Sequence, residues 1–214
     1  MRSSGSAKKS FISFLILFLF NPSLFSWIKV HCIKVYTFWI SQCFNQIGKK
    51  KYINPFLELK GAKYISIGNH LVFGPHCVLT AWDQFGSGEQ KQTFSPQITI
   101  GNNCHFGAYN HLSAIDQIKI GDNFLSGKWV TIVDNGHGKA DLENFKIPPN
   151  KRPLYSRGPV VIGNNVWIGD KATILPGVTI GNGVVIGANT VVTQDIPDNC
   201  IFVGNPGRII KKEN

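Results

Sequence analysis

From about residue 65 the apolar positions of the chain recur every six residues. In the last third one phase reads Ile162, Ile168, Ile174, Ile180, Ile186 and Val192. Four residues after each of the first five comes a second small or β-branched side chain: Val166, Ala172, Val178, Val184 and Thr190. Three earlier blocks repeat the phase: Ile67, Phe73, Leu79; Ile100, Phe106, Leu112; and Ile120, Ser126, Ile132, in which Ser126 is the weak member. A period of six fits neither the 3.6-residue helix nor an alternating strand. It fits a solenoid in which each hexad is one short strand and a turn, and three hexads close a triangular coil. The pattern predicts an all-β parallel β-helix of about five coils, stacked about 4.8 Å apart with the phased side chains pointing inward. Gly at 163, 169, 181 and 187, directly after the aliphatic, is expected to serve the turn backbone.

The phase breaks in three places. Leu79 and Ile100 are 21 residues apart, Leu112 and Ile120 eight, and Ile132 and Ile162 30. Loops inserted near 81–97 and 133–158 are therefore expected to project from one edge, where solenoids commonly carry binding. The second loop opens Val133-Asp134-Asn135-Gly136-His137-Gly138 and continues through Pro148-Pro149, Lys151, Arg152 and Arg157.

Residues 1–60 read differently and are taken as a basic, apolar, helical segment ahead of a β-helix domain at 61–214. Lys8 and Lys9 precede an apolar run from Phe11 to Phe20, and a second apolar stretch, Leu24 to Ile40, carries Lys29, His31 and Lys34 among five aromatic residues. The second stretch reads as an amphipathic helix: a peripheral or re-entrant membrane anchor, or a helix packed on the protein itself. A cleaved signal or a true span are further readings of the whole segment. The net charge of +10 belongs mostly here, since residues 1–60 hold nine basic residues and one acid, Glu58. Basic residues beside apolar runs suit an anionic membrane surface better than nucleic acid, so contact with the inner face of the cytoplasmic membrane through residues 8–40 is expected, and nucleic-acid binding is not. Five cysteines without a paired framework or a CxxC suggest reduced thiols in a cytoplasmic protein, with Cys104 and Cys200 packed as small hydrophobes.

The stretch VVIGNNVWIGDKATILPGVTIGNGVVIGANTVVTQDIPDNCIFVGNPGRIIKK resembles the C-terminal half of hexapeptide-repeat acyltransferases, such as galactoside, maltose and polysaccharide O-acetyltransferases. The resemblance covers roughly residues 65–212. It implies a left-handed coil, a homotrimer with active sites between subunits, and transfer of an acetyl group from acetyl-CoA to a hydroxyl of a sugar or glycan. In this family a histidine 17 residues after the Ile of an Ile-Gly-Asp-Asn turn is the catalytic base. Here that turn is Ile120-Gly121-Asp122-Asn123, and the histidine is His137. A neutral imidazole suits the task, because a sugar hydroxyl must lose its proton as attack begins. By the same resemblance Asn110 is the candidate oxyanion donor, with a turn residue as the alternative reading, and Asp116 and Asn135 are candidate acceptor-binding residues. Trp167, Gly169, Ala188, Thr193, Gln194, Arg208 and Lys211 are the candidate coenzyme A contacts. No metal is expected.

Other classes fit less well. A γ-type carbonic anhydrase needs a close HxxxxH pair, which His137 lacks. A silent scaffold would not need the 133–158 loop, and an ice-binding surface would need regular Thr ladders. A serine acetyltransferase would carry a large helical domain first. His111 is the rival base, and N-acetylation of an amino sugar is the rival reaction.

Overall fold

The computed structural model describes residues 21–213; the Phe11–Phe20 run therefore lies outside the described residues. The hexads form the faces of a triangular prism, a left-handed parallel β-helix with six strands in the first sheet, eight in the second and six in the third. This hand departs from the usual right-handed crossover. Each coil gives one strand to each sheet. The fifth coil, for example, runs through Val160–Ile162, Trp167–Ile168 and Thr173–Ile174, and the sixth through Thr179–Ile180, Val185–Ile186 and Val191–Val192. The phased side chains stack in register, with Ile120 opposite Ile162 and Ile162 opposite Ile180 in the first sheet. All of them are buried in one continuous core. Ser126 is the exception in kind: it stacks between Phe106 and Ile168 in the second sheet. Its hydroxyl is buried without a partner among the described residues.

The structure adds a coil to the expected five. Gln46–Ile47, Tyr52–Ile53 and Glu58–Lys60 pair in parallel with the three strands of the following coil. The prism therefore begins at Gln46, inside the segment read as separate from it. Ile47, Ile53 and Leu59 keep the six-residue phase, but the Lys49–Lys51 run between them hides it.

The corner glycines also act differently from the expectation. Gly121 does not take a left-handed φ; a Cβ there would lie 2.8 Å from the carbonyl carbon of Gly163 on the next coil. The constraint is close stacking of coils. The left-handed residues come two positions later, as in Asn123 (φ 57°) and Asn165 (φ 58°), whose side chains hydrogen-bond at 3.0 Å. Asparagine tolerates this conformation better than other side chains. At the next corner Phe56, His76, Tyr109 and Trp129 are all left-handed, and their rings stack along the axis at 4.9, 5.0 and 4.1 Å. One ring per coil matches the interstrand spacing to ring-stacking distance.

Helix α1 (Pro22–Ser41) closes the open end of the prism. Asn21 caps it, accepting from the amides of Ser23 and Leu24, and Pro22 occupies the first turn where no N–H is missed. Its inner side buries Ile33 and Ile40. Thr37 covers the edge strand Tyr52–Ile53: its hydroxyl donates to the Ile53 carbonyl at 3.1 Å and accepts from the Ile53 amide at 2.9 Å. An edge strand that would otherwise template further pairing is thus satisfied. The outer side exposes Phe25, Trp27, Val35, Phe38 and Trp39. No described helix is long and apolar enough to cross a membrane. Cys77, Cys104 and Cys200 are buried thiols, the first two pushed up to about 11 by burial, while Cys32 and Cys43 are exposed.

Candidate functional site

The two long interruptions leave the third sheet at its exit edge and return as antiparallel arms. Gln84–Phe85 pairs with Gln92–Thr93 in the first arm, and Asn135–His137 with Leu154–Ser156 in the second. Gln92 ties the arms together: its amide donates to the Leu154 carbonyl at 3.1 Å, and its carbonyl accepts from the Leu154 amide at 2.7 Å. Leu154 lies opposite His137, so this bidentate grip fixes the strand that carries the imidazole. Gly138, with φ 77°, turns the chain just after His137, a backbone state that suits glycine.

The root of the second arm is held by Asp134, which the sequence reading did not single out. Its carboxylate is fully buried and accepts from the amides of Ile115 and Asp116, each at 2.9 Å, and from the Asn135 side chain at 3.0 Å. Burial pushes its carboxyl above the ordinary value against the pull of those donors. The eight-residue interruption and the long loop are thereby clamped to one another. A buried acid at a strand exit, just ahead of an Asn-Gly-His turn, was the available signal.

Arms and sheet enclose a cleft of about 320 Å³, at the small end of the ~300–1,000 Å³ typical of ligand pockets. Glu58 and His111 form its floor, Trp82 and Phe85 one wall, and Asn135 and His137 the other. His137 is exposed on that wall, its ring edge-on to Phe85 at 5.7 Å. Asn135 spends both amide hydrogens, on the Ser113 carbonyl and on Asp134, and so offers the cleft an acceptor oxygen only. His111 is half-buried; desolvation holds its imidazole below the ordinary value, and the field of Glu58 partly opposes this. His111 stands two strands from Glu58 in the outward row Glu58, Val78, His111, Thr131.

Two residues expected in the site are not brought to it. Asn110 is completely buried at a corner, donating to the Gly107 and Gly127 carbonyls at 2.8 and 3.0 Å and accepting from the Val130 amide at 3.0 Å. Both hydrogens of that amide are donated to backbone carbonyls, so neither is free for a developing oxyanion. This placement is what the turn-residue reading expects. Asp116 is exposed and does not line the cleft; its backbone amide, rather than its carboxylate, takes part in the clamp.

The candidate donor contacts fall in three places. Gly169 and Ala188 meet at the corner between the second and third sheets, where a Cβ on Gly169 would lie 2.6 Å from the Ala188 amide nitrogen. Thr193 and Gln194 are exposed at the exit edge of the third sheet, the edge from which the His137 arm departs two coils away, or about 10 Å by interstrand spacing. Trp167 lies on the outer face of the second sheet, exposed between Leu125 and Val185. Arg208 and Lys211 belong to the terminal strand Gly207–Lys212 that extends this same sheet, and Lys211 pairs with Glu213. Different faces of one prism point in different directions, so a single chain does not gather all seven residues around one ligand.

Comparison with known proteins agrees with the coil architecture. Residues 159–194 match the model of the bacterial transferase hexapeptide, six repeats. The chain is 40% identical over 101 residues to a putative lipopolysaccharide biosynthesis O-acetyl transferase, WbbJ of Escherichia coli, covering 45% of this chain and 51% of that protein. It is 40% identical over 97 residues to the galactoside O-acetyltransferase of Escherichia coli, covering 45% of each. The matched segment thus spans about half the length of these relatives. Among solved structures, a variant of AntD, an N-acyltransferase from Bacillus cereus in complex with dTDP and coenzyme A, superposes with a TM-score of 0.63 at 27% identity, over 80% of this chain and 85% of that one. A galactoside acetyltransferase in complex with coenzyme A gives 0.54 at 29% identity, over 82% and 68%. In its six-residue repeat, its coil architecture and these likenesses, the chain is similar to hexapeptide-repeat transferases, with the family model matching residues 159–194.

Proposed function

We propose that the protein transfers an acetyl group from acetyl-CoA to a hydroxyl of a sugar or glycan, with His137 as general base. The observation that carries this reading is the placing of His137: an exposed imidazole on a doubly tied arm, at the wall of a cleft whose floor and opposite wall are polar and aromatic. The acceptor hydroxyl attacks the thioester carbonyl carbon while His137 takes its proton. The C–S bond then breaks, and the imidazolium returns the proton to the departing thiolate. Base catalysis of this kind contributes roughly 10²–10⁴ in rate. Asn135 accepts from a second acceptor hydroxyl, and a ring stacks on Trp82 or Phe85. Asp116 is left without an acceptor-binding role.

The coenzyme A arm runs along the glycine-lined corner at Gly169 and Ala188 to Thr193 and Gln194. Trp167, Arg208 and Lys211 then reach the same ligand from a neighbouring copy, which supports a homotrimer with sites between subunits. Exposed Leu125 and Trp167 on the second sheet give such a contact an apolar centre.

The outer side of α1, aromatic and carrying Lys29 and Lys34, supports peripheral contact with the anionic inner face of the cytoplasmic membrane. Co-sedimentation with vesicles rich in anionic lipid tests it. Replacing Trp27, Phe38 and Trp39 with Ser should release the protein from the pellet; unchanged sedimentation removes the membrane role.

The reaction is tested by thiol release from acetyl-CoA against a panel of sugars and amino sugars, with mass analysis of the product. O-acetyl product supports the reading. Product acetylated only on nitrogen assigns the same base to amine deprotonation instead, the reaction class named for AntD. Release of thiol with none of the acceptors removes the sugar assignment.

A further inference from the structure

A second cavity, of about 700 Å³, lies between the two arms on the other side of Phe85. Phe85 lines both spaces, and the partition is completed by Leu154, which lines the cleft, in the grip of Gln92, which lines the cavity. One residue's thickness therefore separates the His137 cleft from the larger space. The larger space is basic. Lys91 comes to it from the first arm and Lys151 and Arg152 from the second, and no acidic side chain is among its described lining residues. Arg152 is held in place through Nε, which donates to the Ile147 carbonyl at 2.9 Å and leaves its terminal nitrogens for another acceptor. Three cations, from the ends of two short turns, one on each arm, line one space and suit a multiply charged oxyanion. The candidate donor contacts lie elsewhere, on the last coils and the terminal strand.

We propose that this cavity binds the phosphate end of the acceptor, so that the substrate is a sugar carried on a phosphate or diphosphate. The sugar ring occupies the cleft at His137, the phosphate link passes Phe85, and the charged end rests on Lys91, Lys151 and Arg152. This deepens the acetyl-transfer reading and rests on it for the identity of the small cleft. The shared chemistry is a diphosphate ester, whose other end is a nucleoside or an isoprenoid lipid.

Calorimetric titration tests the site without turnover, and so separates its failure from failure of the transfer reaction. The full chain is titrated with inorganic pyrophosphate, a nucleoside diphosphate, geranyl diphosphate and acetyl-CoA, beside the double variant Lys91→Ala/Lys151→Ala and the single variant His137→Ala. The proposal expects pyrophosphate to bind the parent chain and His137→Ala alike. It expects roughly tenfold or weaker binding to the double variant, the scale of a lost charge-assisted hydrogen bond, with acetyl-CoA affinity unchanged. Whichever organic diphosphate binds more tightly than pyrophosphate identifies the carrier. Pyrophosphate affinity that ignores both lysines, or absence of binding by both organic diphosphates, overturns the proposal. Parallel loss of acetyl-CoA affinity in the double variant overturns it too, assigning the cavity to the donor.

Discussion

Replacing Asn110 with Ala separates a structural amide from a catalytic one. The substitution removes two donors and one acceptor at a completely buried corner. The Val130 amide, itself buried, loses its partner, a penalty of about 1–3 kcal/mol, and the Gly107 and Gly127 carbonyls each lose a bond of about 1 kcal/mol net. The sum is about 3–5 kcal/mol. For a chain of this size each kcal/mol moves Tm by about 2–4 °C, so thermal unfolding followed by circular dichroism should shift down by on the order of 10 °C. The variant assayed well below its Tm should retain a kcat close to the parent's, since the amide has no hydrogen left to donate to substrate. A melting point within about 2 °C of the parent together with a hundredfold loss of kcat would refute the reasoning, since only an amide aimed at substrate behaves that way.

Three further outcomes follow from single contacts. Ser126→Ala removes a buried hydroxyl with no partner among the described residues and should raise stability by about 1 kcal/mol in a denaturant melt; a loss of stability would point to a partner for that hydroxyl. Thr37→Val leaves both polar groups of Ile53 unpaired at a buried edge and should cost about 2 kcal/mol, with faster amide exchange at Ile53 as its local signature. Desolvation holds the His111 imidazole below the usual value and Glu58 raises it, so Glu58→Gln should lower it further, read from the ring proton shifts across a pH titration. Because the folded value lies below the unfolded one, the His111 contribution to stability is complete above the usual imidazole value and declines as pH falls through the folded one; the Gln variant moves that decline to lower pH.

The prism and the arm that carries His137 were legible because a solenoid repeats its burial rule every six residues and each interruption shows as lost phase. Ile162 through Val192 state the rule six times. The first coil was missed although Ile47, Ile53 and Leu59 obey it, because three lysines and a preceding apolar stretch drew that segment into another reading. The clamp was harder to see. Asp134 and Gln92 act through partners 18 and 62 residues away, and such pairings depend on how the arms fold back, which no local pattern records. Asn110 shows the converse difficulty: a family role was carried onto a position whose corner geometry uses the amide for backbone. The distribution of Trp167, Thr193 and Lys211 over separate faces likewise becomes visible only once the hexads are folded into a triangle.

The most direct test of the account is the kcat/KM of His137→Ala for acetyl transfer, measured beside His111→Ala and with acetyl-CoA affinity determined independently. Loss of the base should lower kcat/KM by roughly 10²–10⁴ with acetyl-CoA binding intact, while His111→Ala loses less. Near-parent turnover in His137→Ala, or the large loss falling on His111→Ala instead, would contradict the claim that the second arm exists to present His137 to the acceptor.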